Sequence, residues 1–169
     1  MSVTWRQVPA PLRTLARWVT IVQLVGYTTS LVFVWHTTRL VPPGVAARYR
    51  GADPLTSEAA MQFPKSLAEM LTITHTHLLS MAVIFLLTGL GVALCAEPSE
   101  RWKGWLIAEP FVALLVSFSA MWLMRYVDPH FSWLLEASSA VLAVTFYVQS
   151  YLILRELRQV EREAHIGSA

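Results

Sequence analysis

Four of the five histidines in this chain lie where imidazole chemistry is expected. His36 closes the first long apolar run, and His130 opens the fourth. His75 and His77 stand near the start of the second run. In an up-down bundle of membrane helices, all four side chains would fall near one membrane face. Imidazole is the usual protein ligand for haem iron, copper and zinc, and ionisable groups at membrane depth indicate function. We therefore predict a haem or metal site at that face.

The composition indicates an integral membrane protein. Only 14% of the 169 residues are charged, against about 25% in soluble domains. Hydrophobic residues make up 55%, and the mean hydropathy is +0.49. Charge is absent from residues 19–38, 71–96, 112–124 and 137–154. A bilayer core needs about 20 mostly apolar residues per helix, so the sequence predicts an all-α, four-helix up-down membrane bundle that forms a single domain over residues 1–169.

The connections between the apolar runs set the helix boundaries. Proline, glycine and arginine are frequent in residues 38–64, which we interpret as a long loop. Ser66 and Glu69 have the spacing of a capping box and predict the start of the second helix. The four helices are expected at about residues 15–37, 67–95, 102–126 and 130–157.

The distribution of lysine and arginine predicts the orientation. One end has eight such residues: Arg6, Arg13, Arg17, Arg101, Lys103, Arg155, Arg158 and Arg162. The other end has five: Arg39, Arg48, Arg50, Lys65 and Arg125. By the positive-inside rule, both termini are expected in the cytoplasm of a bacterium, with the chain in its inner membrane. The loop at 38–64 and the histidines then face the periplasm.

The favoured cofactor is haem b, held by histidines from two helices. His75 and His77 point about 200° apart on a helix, so they cannot easily bind one metal together. The sequence leaves open which of them faces the interior. We expect one of them to pair with His130, or with His36 as the alternative. The cations available to the haem propionates are Arg48, Arg50, Lys65 and Arg125.

A copper, zinc or iron site is the second interpretation of the same histidines. The candidate ligands are His75, His77, His130 and His36, with a carboxylate from Glu69, Asp128 or Glu136. The sequence contains no H-E-x-x-H or E-x-x-H motif, so this interpretation ranks below haem. Its single cysteine, Cys95, excludes a cysteine pair and an internal disulfide.

A second polar group is predicted at the opposite end of the bundle. Glu109 and Pro110 lie about two turns inside the third apolar run. Pro110 leaves the carbonyl near Leu106 without its helical donor, so a side chain or water must satisfy it. Glu109, Gln23 and Tyr147 could form a quinone pocket or proton route. The alternative is ordinary packing of small and polar residues between membrane helices.

Three segments carry a family resemblance. These are Tyr49-Arg50-Gly51, Phe63-Pro64-Lys65-Ser66 and the run from Thr74 to Leu79 that contains both histidines. They resemble small four-helix bacterial membrane proteins associated with electron-transfer systems. The resemblance implies that the loop and the H-x-H helix act together, and it assigns no ligand.

These observations lead to three functional hypotheses. The first is an electron-transfer subunit with haem b near the periplasmic face, working between quinol and a membrane or periplasmic partner in a larger redox complex. The second is a cofactor-free accessory subunit that stabilises a respiratory or photosynthetic complex. The third is a membrane protein that binds copper, zinc or iron. A stand-alone enzyme and a nucleic-acid partner are not expected, and a homo-oligomer is left open.

Overall fold

The computed structural model describes residues 3–52 and 63–166, and these residues form helices and no strand. A 3-10 turn at Trp5–Gln7 precedes the first helix. Five α-helices follow: α1 Ala10–Thr38, α2 Pro42–Arg50, α3 Leu67–Ala93, α4 Glu100–Tyr126 and α5 Phe131–Ile166.

Four of these helices are long and apolar enough to cross a membrane: α1, α3, α4 and α5. The predicted all-α membrane fold is therefore confirmed. Helices α4 and α5 form the most extensive contact, α3 packs against both, and α1 lies mainly against α5. We call the end of the bundle where α1 begins and α5 ends the terminal end. The opposite end, where α2 lies, is the loop end.

Helix α2 lies inside the segment that we predicted to be a loop, residues 38–64. Pro42 and Pro43 occupy its first turn, where the missing N–H groups cost nothing and the fixed φ favours a helix. Arg50 Nη1 donates a hydrogen bond to the Met124 carbonyl at 2.8 Å, which fastens α2 to the end of α4. Residues 53–62 of the predicted loop lie outside the described residues.

The segment after this gap is fixed to the same end of the bundle. Arg125 Nε donates to the Lys65 carbonyl at 2.9 Å, and Lys65 N donates to the Tyr49 carbonyl at 2.9 Å. The predicted capping box is confirmed, because Ser66 N donates to Glu69 Oε2 and Glu69 N donates to Ser66 Oγ. Helix α3 therefore begins where the sequence predicted.

Helix α5 ends at Ile166 rather than near residue 157. Two ion pairs hold its last turns against the N-terminal part of the chain. Arg17 and Glu161 are 2.5 Å apart, and Arg6 and Glu163 are 2.8 Å apart. Trp5 is buried beside these turns, and its indole Nε1 donates to the Gly91 carbonyl at 3.0 Å. The N-terminal segment thus closes the terminal end of the bundle.

Candidate functional site

The structure places the four candidate histidines towards the loop end, as the up-down order requires, but on the outside of the bundle. His36, His75, His77 and His130 are all exposed. His75 and His36 make no hydrogen bond to any described residue. Among the described residues, no group of three His, Cys, Asp or Glu side chains lies close enough to hold a metal ion. The histidines share an end of the fold without converging on one point.

Two of the histidines have local partners. His77 Nδ1 donates to the Ile73 carbonyl at 2.9 Å, and its ring lies 6.4 Å from that of Phe118 on α4. His130 contacts Asp128, whose Oδ1 accepts from both the His130 backbone N–H and ring Nδ1 at 2.7 Å. These hydrogen bonds, the backbone one first, lower the pKa of the Asp128 carboxyl. The hydrogen bonds of His130 are therefore local to the turn that precedes α5.

The orientation that the sequence left open is now defined. His77 lies on the side of α3 that faces α4, whereas His75 lies on the opposite side with exposed neighbours. We call this surface the outer face of α3. Its members share one side of the helix and are all exposed: Thr72, His75, Thr76, Leu79, Val83, Leu86 and Leu90.

The interior at the loop end is filled by protein. Met70, Met121 and Met124 are buried together there with Val45 of α2. The Trp122 indole also donates to the Thr74 hydroxyl at 2.8 Å, which closes the space between α3 and α4. No two histidines of the described residues face each other across a cavity at this level.

The cations predicted to hold propionates have other partners in the fold. Arg50 and Arg125 donate to backbone carbonyls, as described above. Lys65 Nζ pairs with Glu69 at 2.8 Å, and the Arg48 guanidinium lies 5.4 Å from the centre of the Phe33 ring. Their contacts account for how α2 and the start of α3 are held together.

The buried polar group that the structure forms inside the bundle centres on Gln149, which the sequence did not reveal. Gln149 is fully buried, and its Nε2 donates to the Leu106 carbonyl at 2.7 Å. Its Oε1 accepts from the Thr88 hydroxyl at 2.6 Å. Three helices, α3, α4 and α5, are therefore joined at one side chain. The sequence did contain a clue. Gln149 is an amide in the uncharged run 137–154, and Pro110 leaves the Leu106 carbonyl in need of a donor such as this amide.

The residues predicted for a quinone or proton site are only partly connected. The hydroxyls of Tyr147 and Thr28 share a hydrogen bond of 2.8 Å. Glu109 is half-buried, and its Oε2 is enclosed without a hydrogen bond to the described residues. Gln23 is half-buried and makes no hydrogen bond to the described residues. The arrangement joins α1 to α5 at Tyr147 and leaves Glu109 as an unpaired carboxyl.

Glu136, a candidate metal ligand in the sequence, is in a similar environment to Glu109. It lies near the loop end of α5, half-buried, and its enclosed Oε1 has no hydrogen-bond partner among the described residues. Cys95 is buried beneath Trp5, and burial raises the pKa of its thiol to about 11. A metal or redox role for Cys95 has no support in its surroundings.

The fold and its four apolar helices define a multi-pass membrane protein, for which the lipid bilayer is a partner. More particularly, the chain belongs to a family of transmembrane helical domains, Aq_1264_TM, whose model matches residues 39–164. The matched segment contains α2, α3, α4 and most of α5. Comparisons with curated proteins and with solved structures gave no match.

Proposed function

We propose that this chain is a non-catalytic subunit of a larger membrane complex and that a partner subunit covers the half of the outer face of α3 that is nearest the loop end. The observation that carries the proposal is the exposure of polar side chains there. Thr72, His75 and Thr76 lie together on this surface, and His75 makes no hydrogen bond to the described residues. Polar and ionisable groups inside a membrane usually face protein or water rather than lipid.

The depth of His75 supports this argument. Glu69, which pairs with Lys65, belongs at the membrane interface. His75 follows six residues later, about 9 Å further along the helix axis at a rise of about 1.5 Å per residue. Further along the same face, Leu79, Val83 and Leu86 are exposed and apolar, which suits contact with lipid. The polar patch therefore occupies only the half of the face nearest the loop end, which is the part that a partner is expected to cover.

The test is to block this patch in the full chain. Tagged chain is extracted from its native membrane in mild detergent, and its assembly is sized by native electrophoresis. Thr76→Trp places a bulky side chain on the patch. The control, Val112→Trp, introduces the same side chain at an exposed position of α4. The wild type and Val112→Trp are expected in the larger assembly, which Thr76→Trp should lose. An unchanged Thr76→Trp assembly, or a wild type that migrates as a monomer, contradicts the proposal.

A second candidate is an electron-transfer subunit that binds haem b at this interface. It is favoured by His75, whose imidazole is exposed and makes no hydrogen bond to the described residues, because imidazole is a common haem ligand. The second axial ligand would then come from the partner or from another copy. A reduced-minus-oxidised spectrum with a pyridine haemochrome assay tests this idea. Loss of the haem signal in His75→Ala and its retention in His130→Ala is the expected pattern. A native complex without haem removes the candidate.

Copper, zinc or iron at the same imidazole is distinguished by metal analysis of that sample. If a quinone binds near Glu109, quinone should be detected in the lipids extracted from the purified protein. On this proposal the membrane is the bacterial inner membrane and both termini are cytoplasmic. The support is the excess of arginine and lysine at the terminal end, where eight such residues stand against five at the loop end.

A further inference from the structure

An apolar groove runs between α4 and α5 on the outside of the bundle, in its terminal half. It has a volume of about 440 Å³. Trp102 and Trp105 line one wall, and Val144, Val148 and Leu152 line the other. The two indoles meet edge to face, with ring centroids 6.0 Å apart. Tryptophan is typical of the membrane interface, so this groove opens where lipid headgroups meet acyl chains.

The wall on α5 continues into a row of arginines. Val144, Val148 and Leu152 follow one side of the helix at intervals of four residues, and Arg155 comes next on that side. Arg158 and Arg162 extend the row beyond it. On α4, Arg101 lies one turn before the groove residue Trp105, on the same side of the helix. Cations from both helices therefore stand where the apolar walls end.

Within residues 3–52 and 63–166 none of these arginines forms an ion pair with a carboxylate, and four of the acidic residues near them have other partners. Glu161 and Glu163 pair with Arg17 and Arg6. Glu156 is buried and accepts from the backbone N–H of Ala96 at 3.2 Å. Glu100 pairs with Lys103 at 2.8 Å. Among the described residues no carboxylate contacts any of the four arginines: Arg101, Arg155, Arg158 and Arg162.

Arg155 is the member of the row held closest to the protein. It is half-buried, and its Nε is enclosed without a hydrogen-bond partner among the described residues. Its guanidinium lies 6.0 Å from the centre of the Tyr151 ring. Planar guanidinium groups bind phosphate with two parallel hydrogen bonds, and an enclosed, unpaired donor favours such a ligand.

We propose that the groove between α4 and α5 binds one anionic phospholipid, with an acyl chain against Trp105 and Val148 and the phosphate at Arg155 and Arg101. The apolar walls account for the chain of the lipid, and the unpaired cations account for the charge of its headgroup. Basic pockets between membrane helices bind anionic headgroups by the same physics. The site lies on α4 and α5, away from the outer face of α3.

The test uses native mass spectrometry of the full chain in detergent, with phosphatidylglycerol and phosphatidylcholine of identical acyl chains. Phosphatidylglycerol should bind roughly tenfold more tightly, because its headgroup has a net negative charge, whereas the choline of phosphatidylcholine offsets the charge of its phosphate and repels the arginines. The double variant Arg101→Gln with Arg155→Gln should abolish this preference. Arg39→Gln, at the loop end, is the matched control and should keep it. Val148→Trp fills the groove and should weaken the binding of both lipids.

Three outcomes overturn the proposal. Equal binding of the two lipids removes the headgroup site. Equal loss of preference in Arg39→Gln and in the double variant reduces it to general surface charge. Displacement of phosphatidylglycerol by inorganic phosphate at equal concentration assigns the arginines to a free anion rather than to a lipid.

Discussion

The Gln149 side chain donates a hydrogen bond of 2.7 Å to the Leu106 carbonyl, which is the acceptor that Pro110 leaves without a helical donor. Thr88 on α3 donates to the same amide at 2.6 Å, so the break in the α4 ladder is used to join three helices. An unsatisfied carbonyl is unfavourable in hydrocarbon, and this amide satisfies it without water. Gln149, Thr88 and Leu106 are all buried.

This relationship predicts that Gln149 and Pro110 are energetically coupled. Gln149→Leu removes both hydrogen bonds and is expected to lower the free energy of unfolding by about 1–2 kcal/mol. Pro110→Ala restores the backbone N–H that can bond Leu106 within the helix. In that background, Gln149→Leu should therefore cost less. Reversible unfolding of the four proteins in mixed micelles measures the coupling, and an identical cost in both backgrounds contradicts the assignment.

The turn from α1 into α2 should not tolerate a side chain at Gly44. A Cβ there would overlap the Thr38 carbonyl oxygen and approach its carbonyl carbon to 3.0 Å. Because backbone cannot shift as a side chain does, Gly44→Ala should destabilise the turn by about 1–3 kcal/mol. Trypsin would then cleave faster at Arg48 and Arg50. Gly26→Ala has nothing within 4 Å of its Cβ and is the matched control. Equal cleavage rates in the two variants would refute this explanation.

The Cys95 thiol should react very slowly with maleimide in the intact protein. Burial beneath Trp5 raises the pKa of its thiol from 9.0 to about 11, which lowers the thiolate fraction at neutral pH about 100-fold. Trp5→Ala opens this cover and should increase the labelling rate of Cys95. Trp18→Ala, at an exposed position of α1, controls for the loss of an indole. Rapid labelling of the wild type contradicts the packing at the terminal end.

The turn before α5 should have an acid-dependent contribution from Asp128. Its pKa is lowered in the fold by the hydrogen bonds from His130, so its contribution is present above the unfolded pKa of about 3.9. That contribution is lost as the pH falls through the folded pKa. Asp128→Ala should therefore lower the unfolding midpoint at about pH 6 and lower it less at about pH 3.

The control for this pH dependence is Glu97→Ala. Glu97 is exposed and makes no hydrogen bond to the described residues. Its removal should change the midpoint by the same small amount at both pH values. A difference between the wild type and Asp128→Ala that does not shrink on acidification would show that the Asp128 carboxylate does not stabilise the turn.

The long helices were predictable because uncharged runs of membrane length leave few alternatives. The start of α3 followed from Ser66 and Glu69, and the unpaired Leu106 carbonyl followed from Pro110. Gln149 was not identified as its donor, because a sequence does not give the rotation of α5 relative to α4. Residues 42–50 were predicted to be a loop because they begin with two prolines and a glycine, which are more typical of loops than of helices.

For the histidines, the sequence predicted their position along the bundle but not the direction of their side chains. Their common end of the bundle followed from the order of the helices. Their direction did not, because both sides of a membrane helix are apolar and periodicity carries little information about which side faces inward. Packing of Thr74 against Trp122 fixes the rotation of α3, and it is this contact that leaves His75 outside.

The most direct test of the proposed function is site-specific photo-crosslinking in the native membrane. Thr76→Cys, labelled with a benzophenone maleimide, places the probe on the outer face of α3, while buried Cys95 stays unlabelled. Val112→Cys carries the same probe on α4. We expect one crosslinked product, with a second, different polypeptide, from Thr76→Cys alone. Lipid adducts only, a product with a second copy of this chain, or the same products from both positions would contradict it.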